Sequence, residues 1–225
     1  RLVEHARAIG APLYSRGQAY TLEERADGQW CWQGVGAQGE ALQYSSLPDI
    51  NLPKANAATV LQILALLDIR PPQSQLAGSL SKASLTGRMQ QVTHQGGHYL
   101  LDVAHNPEAA SYLCAQLEKR PVAGETVLVL GMLADKDIDQ VLQALKPVID
   151  RWLLVTLAVP RGETAAELAR KLQRQGVAVD RQTTYDSVHE ALVAVQAGLH
   201  ENDRVVIAGS FFTVSAALTE LKMDG

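Results

Sequence analysis

The stretch Leu100-Leu101-Asp102-Val103-Ala104-His105-Asn106-Pro107-Glu108-Ala109-Ala110 decides how this 225-residue chain is read. An apolar run breaks off at Asp, His and Asn, and a Pro then opens a segment of helical composition. Asn106 is a good helix N-cap, Pro107 suits the first turn, and Glu108 suits the positive end of the helix dipole. Helix initiation therefore accounts for these three residues. It does not account for Asp102 or His105. A carboxylate at a buried strand end needs a partner, and both a structural hydrogen bond and a ribose diol would serve. His105 taken alone reads as structural. In open α/β sheets, ligands collect at the carboxyl ends of strands, which is where Asp102 falls.

Working outward, apolar strand candidates alternate with helices from Gly87 onward. The strands are His98–Val103, Thr126–Leu130, Trp152–Leu157, Ala178–Asp180 with its neighbours, and Arg204–Ala208. The helices are Pro107–Lys119, Ile138–Leu145, Thr164–Gln175, Ser187–Leu199 and Phe212–Leu221. This alternation predicts an α/β fold of right-handed βαβ units on a mainly parallel sheet. The short Val-, Leu- and Ile-rich strands suit a sheet covered on both faces. Before Gly87 the pattern differs. A short helix (Leu2–Ile9), hairpin-like strands (Gln29–Trp32 and Glu40–Tyr44), a Pro-containing loop (48–54) and helices at Ala55–Asp68 and Gln73–Lys82 follow one another. The domain boundary is placed near residue 86, giving residues 1–86 and 87–225.

Gly34-Val35-Gly36-Ala37-Gln38-Gly39 matches G-x-G-x-x-G. The alternating Glu40–Tyr44 segment follows it where a helix would have to open, so it reads as a hairpin turn and not a dinucleotide site. No G-x-x-x-x-G-K-[ST] occurs in the chain, so these residues do not supply a P-loop. The composition is 47% hydrophobic and 20% charged, with a formal net charge of -4. That is enough apolar material for a core, and it gives no pointer to nucleic acid or an anionic membrane. No apolar run approaches the ~20 residues of a membrane span. Cys31 and Cys114 have no metal-ligand spacing and read as reduced thiols, as in a cytoplasmic protein. His94, His98, His189 and His200 form no ligand spacing either, so no metal site is expected within the chain. Trp30 and Trp32 flank Cys31 on a short strand and read as packing residues. The chain opens at Arg1, inside a helical segment, and is read as a fragment.

Asp102-x-Ala104-His105-Asn106-Pro107, preceded by Gly87-Arg88-Met89-Gln90, resembles the folylpolyglutamate synthase/dihydrofolate synthase family of the Mur ligase superfamily, in particular its bacterial bifunctional branch. The resemblance extends to Asn56-Ala57-Ala58, to Gly131-Met132-Leu133-x-Asp135-Lys136-Asp137 and to Gly209-Ser210-Phe211, in the family's order over residues 50 to 215. It implies a Rossmann-like C-terminal domain (87–225), preceded by the last portion of a central ATPase domain (1–86). The family's P-loop and Mg²⁺ ligands would lie in an N-terminal part that this chain lacks, and the isolated chain would be inactive. The implied reaction is ATP-dependent: a carboxylate of dihydropteroate or a folate is activated as an acyl phosphate, and L-glutamate attacks to form an amide. A monomer is implied.

By the same resemblance, Asp102 would hold the ATP ribose, Arg88 the phosphates, and Asn56 would lie on the nucleotide side. His105 would orient the nucleotide or the incoming glutamate. Lys136 could meet the glutamate carboxylate and Ser210 could contact the glutamate, while Arg161, which follows the third strand at the same sheet edge, is a candidate for a substrate carboxylate by position alone. Each has a structural alternative at this point. Arg88 could be a surface cation and Asn56 a helix cap. Asp135, Lys136 and Asp137 could be a solvated helix start, and Ser210 an N-cap. If Asp102 acts only on ATP, its replacement by Ala should leave unfolding nearly unchanged. Two other readings are a Mur-type peptidoglycan precursor ligase and a non-catalytic α/β binding module.

Overall fold

The structure, a computed structural model, describes residues 1–222. The chain divides into two compact units, Arg1–Ser84 and Leu85–Gly225.

The first unit contains α1 (Leu2–Ala8), β1 (Thr21–Glu24), β2 (Trp30–Val35), β3 (Ala41–Leu47), α2 (Lys54–Leu66) and α3 (Gln73–Lys82). Its strands form an antiparallel meander in the order β1-β2-β3. The alternation of β2 buries Trp30 and Trp32 fully, on either side of the half-buried Cys31. Both rings join Leu47, Ala58, Leu61, Ala65 and Leu76 in one cluster. The Gly34–Gly39 stretch covers the end of β2 and the hairpin turn that follows it. Gly36 N–H donates to the Glu40 carbonyl, β3 follows at once, and no helix opens there.

The second unit contains β4 (Gln90–His94), β5 (Gly97–Asp102), α4 (Pro107–Glu118), β6 (Thr126–Leu130), α5 (Ile138–Leu145), β7 (Arg151–Val155), α6 (Ala165–Arg174), β8 (Gln182–Tyr185), α7 (Val188–Gly198), β9 (Arg204–Ala208) and α8 (Phe211–Lys222). Six strands form one sheet in the order β4-β5-β9-β6-β7-β8. All pairs are parallel except the β4–β5 hairpin. Each helix start has a local cause. Asn106, Asp137, Thr164 and Ser187 each accept a backbone N–H of the first turn, and Pro107 opens α4. In α5, Ile138, Val141, Leu142 and Leu145 recur at helical spacing and are all buried.

Alternate strand residues feed two cores. Val206 and Ala208 of β9 face a cluster built with α4, α5 and α6. Val205 and Ile207 face a cluster built with α7 and α8. Helices therefore cover both faces. The neighbouring strands β5 and β9 send their following helices, α4 and α8, to opposite faces. So do β9 and β6. That divergence opens a crevice at the carboxyl edge, the position where open α/β sheets take ligands.

Two readings of the sequence are corrected here. Ala178–Asp180 is not a strand: residues Val179–Arg181 form a 3-10 turn, and the strand begins at Gln182. The consecutive apolar residues Val177, Ala178 and Val179 imitate a buried strand, whereas β8 is a polar edge strand. The edge strand β4 is absent from the strands read from the sequence, although Arg88 reads as lying at a strand start. Its Gln-Gln-Val-Thr-His sequence is polar, and Gln95 and Gly96, both at positive φ (47° and 80°), turn it back into β5.

Candidate functional site

Asp102 closes β5 and is 6% exposed. Its Oδ2 accepts the Met89 N–H at 2.9 Å, and it also accepts the Ala104 N–H. The Val103 N–H donates to the Gly87 carbonyl at 2.8 Å, and the Gly87 N–H donates to Gln90 Oε1 at 2.9 Å. Gly87 and Met89 both lie in the left-handed region (φ 67° and 45°), which costs energy for Met89 and is held in place by these bonds. The Asp102 carboxylate thus secures the turn that presents Arg88. Burial pushes its carboxyl up from the usual range, partly offset by the Met89 and Ala104 N–H groups and the charges of Arg88 and His105. A carboxylate has about four lone-pair positions, so acceptor capacity is left over for a ligand.

Arg88 is half-buried. Its Nη1 donates weakly to the Gly87 carbonyl at 3.4 Å, and its guanidinium lies 5.4 Å from the centroid of the Phe211 ring. His105 Nδ1 lies 2.8 Å from the Val103 carbonyl. A carbonyl only accepts, so Nδ1 carries a proton, and Nε2 is the ring nitrogen left for a ligand. The His105 ring stands 6.2 Å from Phe211, at 43° to it. Phe211 itself is 62% exposed. Three sequence-distant segments therefore meet at one corner: the turn before β4, the end of β5 and the start of α8.

Ser210 is a buried N-cap. Its Oγ accepts the Thr213 N–H at 3.0 Å and sits 2.7 Å from Thr213 Oγ1, which donates to the Gly131 carbonyl at 2.8 Å. With the Thr213 proton on Gly131, Ser210 spends its own proton on Thr213. Gly209 lies beside it at φ 107°, and a Cβ there would come within 2.5 Å of the Gly131 oxygen. Lys136 and Arg161 both pair with Asp135 at 3.3 Å. The loops after β6 and β7 that carry them are tied by the Ala134 N–H to the Arg161 carbonyl and by the Leu133–Gly162 bridge. The Lys136 hydrogen bond holds the Asp135 carboxyl below its usual range. Asp137 caps α5.

Asn56 is exposed in the first turn of α2, in the other unit. It does not cap that helix: Pro53 occupies the cap position, and the Asn56 N–H donates to the Pro53 carbonyl. Asp102, Arg88, His105, Ser210, Lys136 and Arg161 all fall at the carboxyl edge of the larger sheet. The sequence had given Phe211 no role and Met89 no contact. The one available signal was an aromatic placed directly after Gly-Ser at a helix start. Among the described residues, no group of three His, Cys, Asp or Glu is placed to hold a metal ion. No helix there is long and apolar enough to cross a membrane.

The model of the Mur ligase glutamate ligase domain matches residues 87–211, more than half the chain. The chain belongs to the Mur ligase family. Among its relatives within that family, the dihydrofolate synthase/folylpolyglutamate synthase of Haemophilus influenzae is 32% identical over 95% of this chain. The crystal structure of the bifunctional folylpolyglutamate synthase/dihydrofolate synthase of Yersinia pestis, complexed with AMPPNP and Mn ion, is 34% identical. It superimposes with a TM-score of 0.86 over 99% of this chain and 50% of its own. A further structure of such an enzyme, with Mn, AMPPNP and L-glutamate bound, gives a TM-score of 0.85 at 34% identity, again over 99% and 50%. The chain spans about half the length of the curated relatives it matches.

Proposed function

We propose that this chain supplies the C-terminal half of a cytoplasmic, monomeric, ATP-dependent ligase. The ligase joins L-glutamate to dihydropteroate and to folates. The observation that carries the reading is the corner of Arg88, Asp102 and His105 at the β5/β9 crevice, inside a domain of the glutamate ligase family. A buried carboxylate with spare lone pairs, beside a guanidinium that lies against an aromatic face, suits a ribose with its attached phosphates.

In this reading, ATP supplies the phosphoryl group that turns the acceptor carboxylate into an acyl phosphate. Asp102 accepts hydrogen bonds from the ribose hydroxyls. Arg88 brings a fixed cation to the phosphates and offsets the charge that develops during transfer. His105 presents Nε2 toward the nucleotide or the incoming amine. Lys136 and Arg161 are the cations available for glutamate carboxylates, and each has donors to spare beside its contact with Asp135. Ser210 serves chiefly by holding the β9–α8 corner. Asn56 stands on the nucleotide side, as part of an ATPase-domain portion formed by residues 1–86. The Mg²⁺ ligands and the P-loop belong to a part of the protein outside these 225 residues.

The test uses the protein that carries this chain together with its P-loop region. ADP release should require both L-glutamate and dihydropteroate or a folate. Release with a muramyl precursor, and none with a pteroate or folate, would overturn the proposal in favour of a peptidoglycan ligase. No release with either would leave the chain a non-catalytic module.

A further inference from the structure

We propose that Phe211 is a positioning residue: its ring is the plate that sets the direction of the Arg88 guanidinium over the crevice. The proposal rests on the reading of Arg88 as the phosphate-facing cation. Phe211 is 62% exposed, yet it stands between buried anchors. On one side is Ser210, 3% exposed. Two residues on is Thr213, fully buried, which ties the start of α8 to the Gly131 carbonyl after β6. The ring is thus mounted on the central strand β9 and projects from the edge where the candidate residues gather.

Arg88 arrives from the opposite direction. Its backbone is held by a turn with two left-handed residues, anchored on Asp102. Its side chain has a weak 3.4 Å bond to its neighbour's carbonyl and a through-space attraction to Asp102. A long flexible side chain with so little polar tethering would otherwise sample many rotamers. The aromatic face 5.4 Å away removes part of that freedom, because a planar guanidinium stacks on a ring in a way that a Lys ammonium does not. On its other flank the ring meets His105. Phe211 therefore spaces the cation and the imidazole while leaving the donors of Arg88 free for a ligand. Hydrogen bonds to a carboxylate would position Arg88 equally well but would spend those donors and its charge.

The test is a double-mutant cycle in the full-length protein, read as KM for ATP and kcat, with Phe211→Leu, Phe211→Tyr and Arg88→Ala. Phe211→Leu should lower kcat/KM for ATP roughly two- to fivefold, the range of an exposed cation–π contact, with the melting temperature unchanged. Phe211→Tyr should restore it. On the Arg88→Ala background, Phe211→Leu should have no further effect. In the 225-residue chain, the Arg88 Nε–H resonance should move downfield in Phe211→Leu, as the ring current is lost, and return in Phe211→Tyr. Additive losses, or an unmoved Arg88 resonance, would overturn the proposal while leaving the ligase reading intact. An active ligase indifferent to Arg88→Ala would overturn it by removing the role of Arg88. A protein with no ligase activity would instead refute the function on which the proposal rests.

Discussion

Asp102 carries the structural hydrogen bonds that the sequence left open beside a ligand role, and its partners are the Met89 and Ala104 N–H groups. The two backbone N–H groups it accepts would be left without their acceptor in Asp102→Ala. Orphaned buried donors cost about 1–3 kcal/mol, so the expectation of unchanged unfolding is revised. Urea denaturation should show that loss for Asp102→Ala and less than about 1 kcal/mol for Asp102→Asn, whose amide oxygen can still face Met89. Equal midpoints for all three proteins would mean the bonds are idle. The pH dependence has a definite sign. Burial raises the folded-state value of Asp102, so its contribution is fully present below the unfolded value of about 3.9 and is lost as pH rises through the folded value. Asp203 runs the other way. Burial pushes it up, but the backbone N–H groups of His200 and Glu125 outweigh that and leave it lowered. Its contribution is present above about pH 3.9 and fades as pH falls through the folded value. Denaturation midpoints across acid pH, compared with Asp102→Asn and Asp203→Asn, should show the two opposite slopes.

At the scale of elements, the β9–α8 junction is the least forgiving. Gly209→Ala would force a Cβ against the Gly131 carbonyl at a φ of 107°. Such a backbone conformation alone costs roughly 1–3 kcal/mol for a non-glycine residue. The clash comes on top of that, so a strongly lowered melting temperature or insoluble expression is expected. A variant melting with the wild type would show that the junction can relax. At this junction the sequence was informative, because the N-cap alternative for Ser210 is what the structure contains. The α4 corner was legible because Asn106, Pro107 and Glu108 act within one helical turn. The buried strands β5, β6, β7 and β9 were legible because the core demands apolar letters. The edge strands β4 and β8 were not, because an edge has exposed faces and its polar letters resemble a loop. The turn that carries Arg88 was hidden for another reason. Its geometry depends on a carboxylate thirteen residues away, and no local pattern encodes that bond.

For the molecule as a whole, the two units keep separate cores. Residues Tyr20 to Leu76 supply one, and residues from Met89 onward supply the other two. A chain beginning at Leu85 should therefore fold alone and unfold cooperatively. Fluorescence would check this, because Trp30 and Trp32 report on the first unit and the fully packed Trp152 on the second. A non-cooperative melt from the shortened chain would mean that its cores are incomplete. The strand order has a consequence for how the protein is made. β9 is the last strand in the sequence, yet it lies between β5 and β6. Until the ribosome has delivered Arg204–Ala208, both neighbours hold rows of open backbone groups and apolar faces with nothing between them. The nascent chain can form its outer pairs early, but it cannot close the sheet. Any message truncated before that point would yield a product with two sticky edges in its middle, a natural substrate for chaperones or proteases.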